Sequence, residues 1–453
     1  MRAKAPRIAA LVPLVFGLAS FVFAHDSRAE DGGAPAKDDT RAETHEPKPE
    51  VAAQPIPTWG AVEPGKGFLV GRTSYGELSI SAYALVRYLN QLPATESYVD
   101  HLGNTHPVDT RNDIYSHRVM VFFKGWIGLP KIRYQIILWT VNTTDQKALF
   151  GTLGYQFARW LGIYAGLNAL PGTRTLTGSH PYWLGHDRVM ADEFFRPYFT
   201  NGVWAAGEPV PGFWYTLMVG NNLSALGITA RQLTRDLATG GTIWTMPTTH
   251  EFGPQGAFGD FEMHEKVATR LGVSFTQSRE DRFANVATGA PDNTTLRLAD
   301  STNLFDLGAL APGVTVDLAN YHMIAADLGA KYQGVFVQFE AYSRYLSGFH
   351  ADGPLPVTSI HDTGFYVQSA FFPWPRKLEL YAATSHVFGD TSAGFGRSYE
   401  YLGGANVYLA GTRNIRLNAQ VIEVVRSPVS STFGYYVGGQ KGTTLSLAAS
   451  VFF

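Results

Sequence analysis

The stretch TTLSLAASVFF, residues Thr443–Phe453, is the part of the sequence that decides the expected fold. In an extended strand successive side chains point to opposite faces. One face then carries the apolar residues Leu445, Leu447, Ala449, Val451 and Phe453. The other face carries mostly small and polar residues, an alternation typical of a strand between lipid and a watery lumen. An edge strand in a soluble β-sandwich remains open as the alternative for this stretch taken alone.

The N-terminal residues favour export. Arg2, Lys4 and Arg7 form a basic region, and the apolar stretch Ile8–Ala24 follows them. Either Val22-Phe23-Ala24 or Ser27-Arg28-Ala29 suits a signal-peptide cleavage site, so residues 1–29 are predicted to be a secretory signal peptide. A retained membrane anchor is the alternative. No later run reaches the ~18 apolar residues that a spanning helix needs. The mature chain is therefore either soluble or a barrel.

Composition favours the barrel. Charged residues make up 16% of the chain, below the roughly 25% typical of soluble proteins. The chain has no cysteine, which excludes disulfides and thiolate metal sites. The net charge of −2 gives no indication of a nucleic-acid partner, and we predict none. We also predict no cofactor.

The remaining chain divides into a lead-in and one domain. Residues 30–60 are rich in Ala, Pro and charged groups and have few large apolar side chains, so a disordered periplasmic lead-in is predicted. Residues 61–453 are predicted to be an all-β, transmembrane antiparallel β-barrel of about 16 strands. Weak patterns at Gly202–Ala206 and Gly241–Met246 leave fourteen or eighteen strands open. The predicted upward strands are Glu77–Asn90, Lys131–Asn142, Leu161–Ala169, Gly212–Gly220, His264–Ser278, Gly334–Tyr345, Lys377–Phe388 and Asn414–Arg426. The predicted downward strands are Ser116–Ile127, Ala148–Ala158, Gly202–Ala206, Gly241–Met246, Asp317–Lys331, Ile360–Phe372, Tyr399–Ala410 and Gly442–Phe453.

Connections between these strands alternate in length. Short segments with turn residues, such as Gly128–Lys131 and Gly411–Asn414, are predicted on the periplasmic rim. The predicted extracellular loops are Gln91–Tyr115, Leu170–Asn201, Arg279–Val316, Leu346–Ser359 and Gly389–Ser398. Short turns on one rim and long loops on the other are typical of outer-membrane barrels.

Three stretches resemble a known family. They are YSHRVMVFFKGWIGLPKIRYQIILWTVN (Tyr115–Asn142), DRVMADEFFRPYFTNGVWAAG (Asp187–Gly207) and YLGGANVYLAGTRNIRLNAQVI (Tyr401–Ile422). Together they look like the phosphate-selective porin O and P family of Gram-negative outer membranes, over roughly Ala61–Phe453. The closing aromatic, Phe453, likewise resembles the insertion signal of such barrels. The resemblance implies a homotrimeric, sixteen-stranded porin with an inward-folded third loop and a path lined by basic residues. Phosphate selectivity does not follow from membership.

Strand alternation predicts a basic lumen. Charged side chains facing lipid at mid-bilayer cost about 2–4 kcal/mol, so charged strand residues are assigned to the inner face. The inward basic residues are predicted to be Arg87, Arg118, Lys124, Arg133, Lys266, Arg270, Lys331, Arg344, Arg416 and Arg426. The inward acids are predicted to be Asp327, Glu340 and Glu379. Such a positive passage would attract anions. The alternative is that the basic groups solvate the lumen and pair with acids in the loops.

The loop Leu170–Asn201 is the candidate constriction. As the third loop it suits folding into the barrel, where Arg174, Arg188 and Arg196 would line the narrowest section. Alternatively, Arg188 and Arg196 pair with Asp192 and Glu193 to hold the loop's shape.

The same sequence offers little sign of catalysis or metal binding. Its thirteen histidines lack a convincing ligand spacing, and no compact nucleophile–base set occurs in the expected folded domain. We therefore predict no enzyme and no metal site. The expected protein is a porin in outer-membrane lipid that passes small hydrophilic or anionic solutes. A non-conducting barrel acting as anchor or adhesin and a channel for a less polar substrate remain alternatives.

Overall fold

The computed structural model describes residues 67–141, 146–177, 180–288, 295–431 and 434–453. The predicted signal peptide and lead-in lie outside these residues. The strands of the described part are β1 (Phe68–Thr73), β2 (Gly76–Pro93), β3 (Ser97–Val99), β4 (Thr105–Pro107), β5 (Asn112–Ile127), β6 (Leu129–Val141), β7 (Gln146–Ala158), β8 (Leu161–Ala169), β9 (Phe199–Val210), β10 (Phe213–Gly220), β11 (Ala238–Thr245), β12 (Ala268–Asp281), β13 (Val316–Tyr332), β14 (Val335–Ala351), β15 (Ser359–Trp374), β16 (Leu378–Phe388), β17 (Arg397–Tyr408), β18 (Ile415–Val425) and β19 (Lys441–Phe452). One short α-helix, α1 (Met190–Phe195), lies in the described residues between β8 and β9.

Sixteen strands, β2 and β5–β19, form a closed antiparallel barrel in which each strand pairs with the next one along the chain. The barrel closes where β19 pairs with β2, from Gly442 opposite Pro93 to Phe452 opposite Tyr83. Beyond this pairing, β1 lies against the start of β2, and the ring centroids of Phe68 and Phe453 are 4.8 Å apart. The barrel and its sixteen strands are confirmed. The two weak patterns belong to β9 and β11; β9 extends beyond both predicted ends, whereas β11 begins three residues earlier and ends one residue earlier than predicted.

The faces of the closing strand agree with its sequence pattern. Leu447 and Val451 point outward and are 54% and 44% exposed, whereas Thr444, Ser446 and Ser450 point inward and are buried. The described part of the chain has no helix of the length and hydropathy needed to cross a bilayer.

Replacing Leu447 with arginine is expected to lower the free energy of unfolding by about 2–4 kcal/mol, because the charge would face hydrocarbon near mid-strand. Guanidinium titration of the barrel in lipid vesicles measures this change. The control is Thr443→Arg, near the rim, which should cost only about 0–1 kcal/mol. Equal costs at the two positions would contradict the assignment of the outward face.

One connection on the predicted periplasmic rim departs from the expected pattern. The other turns on this rim are short, from the single residue Gly128 to residues 409–414. Between β11 and β12, however, residues 246–267 form a long segment. Its residues Phe252, Ala257 and Phe258 are almost completely buried. Below, residues 246–267 are called the periplasmic segment.

Candidate functional site in the barrel lumen

The connection between β8 and β9 (residues 170–198) is here called the inward loop, and its described residues, 170–177 and 180–198, lie inside the barrel. It contacts widely separated strands. Thr276 of β12 donates to the carbonyl of Pro171 over 2.6 Å, and the backbone N–H of Arg174 donates to Glu340 of β14 over 2.7 Å. On another part of the wall, Asn406 of β17 donates to the carbonyl of Leu184 over 2.8 Å. The third loop thus crosses the lumen, as the sequence position suggested.

Barrel side chains cap the short helix of this loop. The first N–H groups of an α-helix have no partner within the helix, and Val189, which precedes α1, provides no side-chain cap. Instead, the N–H of Met190 donates to Glu400 over 2.8 Å, and the N–H of Ala191 donates to Ser385 over 2.8 Å. The wall therefore fixes both the position and the direction of α1.

Two predicted site arginines share one carboxylate of the inward loop. Arg87 of β2 and Arg118 of β5 both donate to Asp187, the latter over 2.9 Å. Side-chain exposures of 1%, 4% and 5% place all three groups out of solvent. Arg118 also lies 3.2 Å from the His180 ring nitrogen. Two positive charges here meet one negative charge.

Arg416 of β18 adds a third cation on the same side of the lumen. It donates to the backbone carbonyls of Trp183 and Gly185, the second over 3.1 Å. Among the described side chains, no carboxylate lies within ion-pair distance of Arg416. Arg87, Arg118, Asp187 and Arg416 are together called the arginine cluster.

Most of the other basic residues predicted for the inward loop and for β12–β14 pair with acids, whereas Lys331 of β13 donates to the carbonyl of Phe252 over 2.8 Å. Arg188 lies 3.4 Å from Asp192, and Arg196 lies 2.9 Å from Glu193. This is the pairing that the sequence left as an alternative. The wall pairs are Arg270–Asp327 at 3.1 Å and Arg344–Asp362 at 2.6 Å. Arg174 is 1% exposed, and its Nε lies 3.8 Å from Asp327.

The last two predicted site residues lie elsewhere on the wall. Lys124 of β5 and Arg133 of β6 are only partly buried, unlike the other eight. They share the inward face with Ser81 and Gln135, which are 0% and 1% exposed. The Gln135 amide and the Ser81 hydroxyl have no hydrogen-bond partner among the described groups. On this part of the wall, two partly buried basic side chains therefore lie beside fully buried polar groups.

Two basic residues were wrongly placed on the wall. Lys266 precedes the first residue of β12, and Arg426 follows the last residue of β18, so both are exposed connection residues. The count of inward acids was also too low. Three further acids, Glu280, Asp362 and Glu400, lie on the inner face, and each is 0% exposed. The positive surplus of the wall is therefore smaller than the sequence predicted.

The periplasmic segment meets the inward loop within the barrel. The N–H of Phe258 donates to the carbonyl of Tyr182 over 2.8 Å. Arg174 donates to the carbonyl of Gly256 and lies over the Phe258 ring at 4.9 Å. The sequence analysis did not predict this contact. The three phenylalanines of the periplasmic segment could have indicated it, because large apolar side chains are usually buried.

Three residues of the periplasmic segment could together contact a cation. Ligand atoms of Asp260, Glu262 and His264 lie within 4.8 Å of one another. Each already has a protein partner: Glu262 pairs with Arg413 at 2.9 Å, Asp260 accepts from the N–H of Gly334 over 2.7 Å, and His264 lies 2.7 Å from Glu251. Since these contacts satisfy the same atoms, the cluster serves to hold the segment.

His264 makes this cluster sensitive to pH. Its hydrogen bond with Asp260 raises the pKa of His264 above the ordinary value, burial opposes the rise, and the charges of Asp260 and Glu251 add to it. A raised folded-state pKa gives stability that is present at low pH and lost as pH rises through that pKa. Hydrogen exchange of residues 251–264, corrected for the intrinsic rate, should therefore show weaker protection at pH 9 than at pH 6. The variant His264→Gln should remove this dependence, and an unchanged dependence in that variant would show that another group causes it.

Comparisons with known proteins support the fold. No family model matches the sequence, and no curated protein is significantly similar to it. Outer-membrane expressed OmpT of Vibrio cholerae has a similar structure, with a TM-score of 0.53 and 10% sequence identity over 85% of this chain and 100% of that one. In-vitro folded OmpT gives a TM-score of 0.51 at 11% identity over 85% and 99%. Its trimer form gives 0.51 at 9% identity over 83% and 99%. At this level of identity the chain is shown to share the fold of these outer-membrane barrels.

Proposed function

We propose that the protein is a porin of the Gram-negative outer membrane through which small hydrophilic solutes diffuse. The observation that carries this proposal is the inward loop, which crosses a sixteen-stranded barrel and contacts both β2 and β14 through buried polar groups. Barrels of this size can enclose an aqueous channel, and a loop folded into the lumen narrows it. The porin is proposed to act without an enzymatic step. A homotrimer in outer-membrane lipid is part of the proposal, supported by the trimer form of the similar OmpT barrel.

The arginine cluster supports a preference for anions. Arg87 and Arg118 share one carboxylate, and the described hydrogen bonds of Arg416 go to two backbone carbonyls of the inward loop. Fixed positive charge in a narrow passage concentrates anions and repels cations. Arginine also matches the geometry of phosphate oxygens, which it binds with two parallel hydrogen bonds. The proposal includes oxyanions as solutes. It also includes membership of the phosphate-selective porin family.

A second function is favoured by how the inner wall is packed. Met120, Phe122, Ile137 and Trp139 face inward, and each is at most 3% exposed. A barrel filled by its own loops suits a non-conducting anchor or adhesin, whereas an apolar inner surface suits a channel for a less polar solute. Either function is compatible with the same sixteen strands, so conductance is the property that separates them.

The test is conductance of the refolded mature protein in a planar bilayer under a KCl gradient. The porin proposal expects discrete conductance steps and a reversal potential displaced toward the chloride equilibrium potential, with block by added phosphate. Conductance without anion preference would keep the porin and overturn the selectivity. Folded protein that inserts but never conducts would overturn the porin and support the anchor.

A further inference from the structure

Apolar contacts dock the periplasmic segment against the barrel wall. The ring of Phe258 lies 5.5 Å from that of Phe336 of β14, and the ring of Phe261 lies 5.0 Å from that of Tyr408 of β17. Phe252 and Phe258 are 1% and 2% exposed. Burying one such ring contributes roughly 1.5–3 kcal/mol, so these contacts hold the segment in the barrel mouth.

Polar contacts fix the same segment at two places on the rim. Glu262 accepts two hydrogen bonds from Arg413, at 3.0 and 2.9 Å. Lys331 donates to the carbonyl of Phe252 over 2.8 Å, and Asp260 accepts from the N–H of Gly334 over 2.7 Å. These partners come from the β13–β14 and β17–β18 sides of the rim, so the segment is tied across the opening.

Gly259 allows the segment to approach the wall closely. Its φ is +71°, and a Cβ built on it would lie 2.0 Å from a carboxylate oxygen of Glu379 on β16. A backbone with positive φ and no room for a side chain favours glycine. The local sequence thus suits a segment that folds into the lumen.

The inward loop and the periplasmic segment join at one place. The Phe258–Tyr182 backbone hydrogen bond and the contact of Arg174 with Gly256 link a loop from the extracellular rim to a segment from the periplasmic rim. The guanidinium Nη1 of Arg174 has no hydrogen-bond partner among the described groups, although the side chain is 1% exposed. These contacts therefore join the two connections inside the barrel.

We propose that the periplasmic segment is a second constriction of the channel, in series with the inward loop, and that their junction at Arg174, Tyr182, Gly256 and Phe258 sets the narrowest section. This inference rests on the proposed porin function. Arg174 is then the cation that an anion meets at the junction, and displacement of the segment opens the periplasmic mouth.

The first experiment shortens the segment. Thr245 pairs with Leu271, so replacing residues 248–268 with Asn-Gly lets Pro247 face Thr269 across a two-residue hairpin turn. Single-channel conductance of this variant is expected to rise at least about twofold over the full-length protein, because one of two constrictions in series is removed. Circular dichroism and heat-dependent gel migration report whether the shortened barrel has folded.

Point variants test the junction without changing chain length. Glu262→Gln removes the charge partner of Arg413 and should increase the frequency or size of openings, and Arg174→Gln should reduce anion preference. The matched control is Glu77→Gln, which removes the same kind of charge from an Arg72–Glu77 pair, 2.6 Å apart, on the β1–β2 side of the same rim. That control should conduct as the unmodified protein does.

The outcomes separate this inference from the porin proposal. If the full-length protein conducts and both the shortened and Glu262→Gln variants show the same conductance, the second constriction is wrong and the porin stands. If the full-length protein is silent and the shortened variant conducts, the segment closes the pore and both proposals are supported. If both are folded and silent, the porin function itself is overturned, and the inference with it.

Discussion

Replacing Asp187 with asparagine is expected to lower the free energy of unfolding by about 3–5 kcal/mol. The substitution preserves the shape of the side chain and removes the carboxylate that Arg87 and Arg118 share. Breaking a buried ion pair leaves a charge without compensation, and here one substitution affects two buried guanidinium groups. Guanidinium titration of the refolded barrel in lipid vesicles measures the loss.

Two further measurements sharpen this expectation. Asp236→Asn is the control, because Asp236 and its partner Arg279 are 3.6 Å apart with about half of each side chain exposed, and such pairs contribute about 0–1 kcal/mol. If the pore conducts, Asp187→Asn should also shift the reversal potential further toward chloride, because the lumen gains one net positive charge. A loss of stability no larger than that of the control would show that Asp187 does not neutralise the two arginines.

The barrel was predictable because its strands follow a strict period of two. From the sequence alone, the alternation predicts that Leu447 faces outward and Ser446 faces inward. It also predicts that Arg87 and Arg344 face inward, and the structure has all four side chains on the predicted sides. The errors in placing basic residues came at strand ends. Lys266 and Arg426 lie just outside β12 and β18, where alternation no longer determines which way a side chain points.

The partners of the site residues were less predictable. That Asp187 would join Arg87 and Arg118 depends on how far the inward loop reaches across the lumen, and alternation carries no information about this. The contact between Arg174 and Gly256 joins segments that are 82 residues apart in the chain. Such contacts are determined by the shape of two irregular connections inside a closed wall, so they required the structure.

Replacing Phe195 with alanine is the second change with a large expected effect. Phe195 ends α1, is 0% exposed, and stacks on Tyr342 with 5.0 Å between ring centroids. Opposite it, a Cβ on Gly364 of β15 would lie 2.4 Å from the Phe195 ring, which shows how closely the ring approaches the wall. Removing a buried phenylalanine leaves a cavity and costs about 3–5 kcal/mol.

The functional consequence follows from where this ring lies. Phe195 attaches the inward loop to β14 and β15, and its carbonyl accepts a hydrogen bond from Tyr321 of β13 over 2.6 Å. The variant should therefore both unfold at lower guanidinium concentration and, in a planar bilayer, show larger or noisier conductance steps, because the loop is no longer held to that wall. Phe283→Ala is the control, since this ring is 57% exposed in an extracellular connection, and such a substitution is expected to stay within about 0.5 kcal/mol. Lower stability with unchanged conductance would mean that the inward loop stabilises the barrel without limiting the passage of solutes.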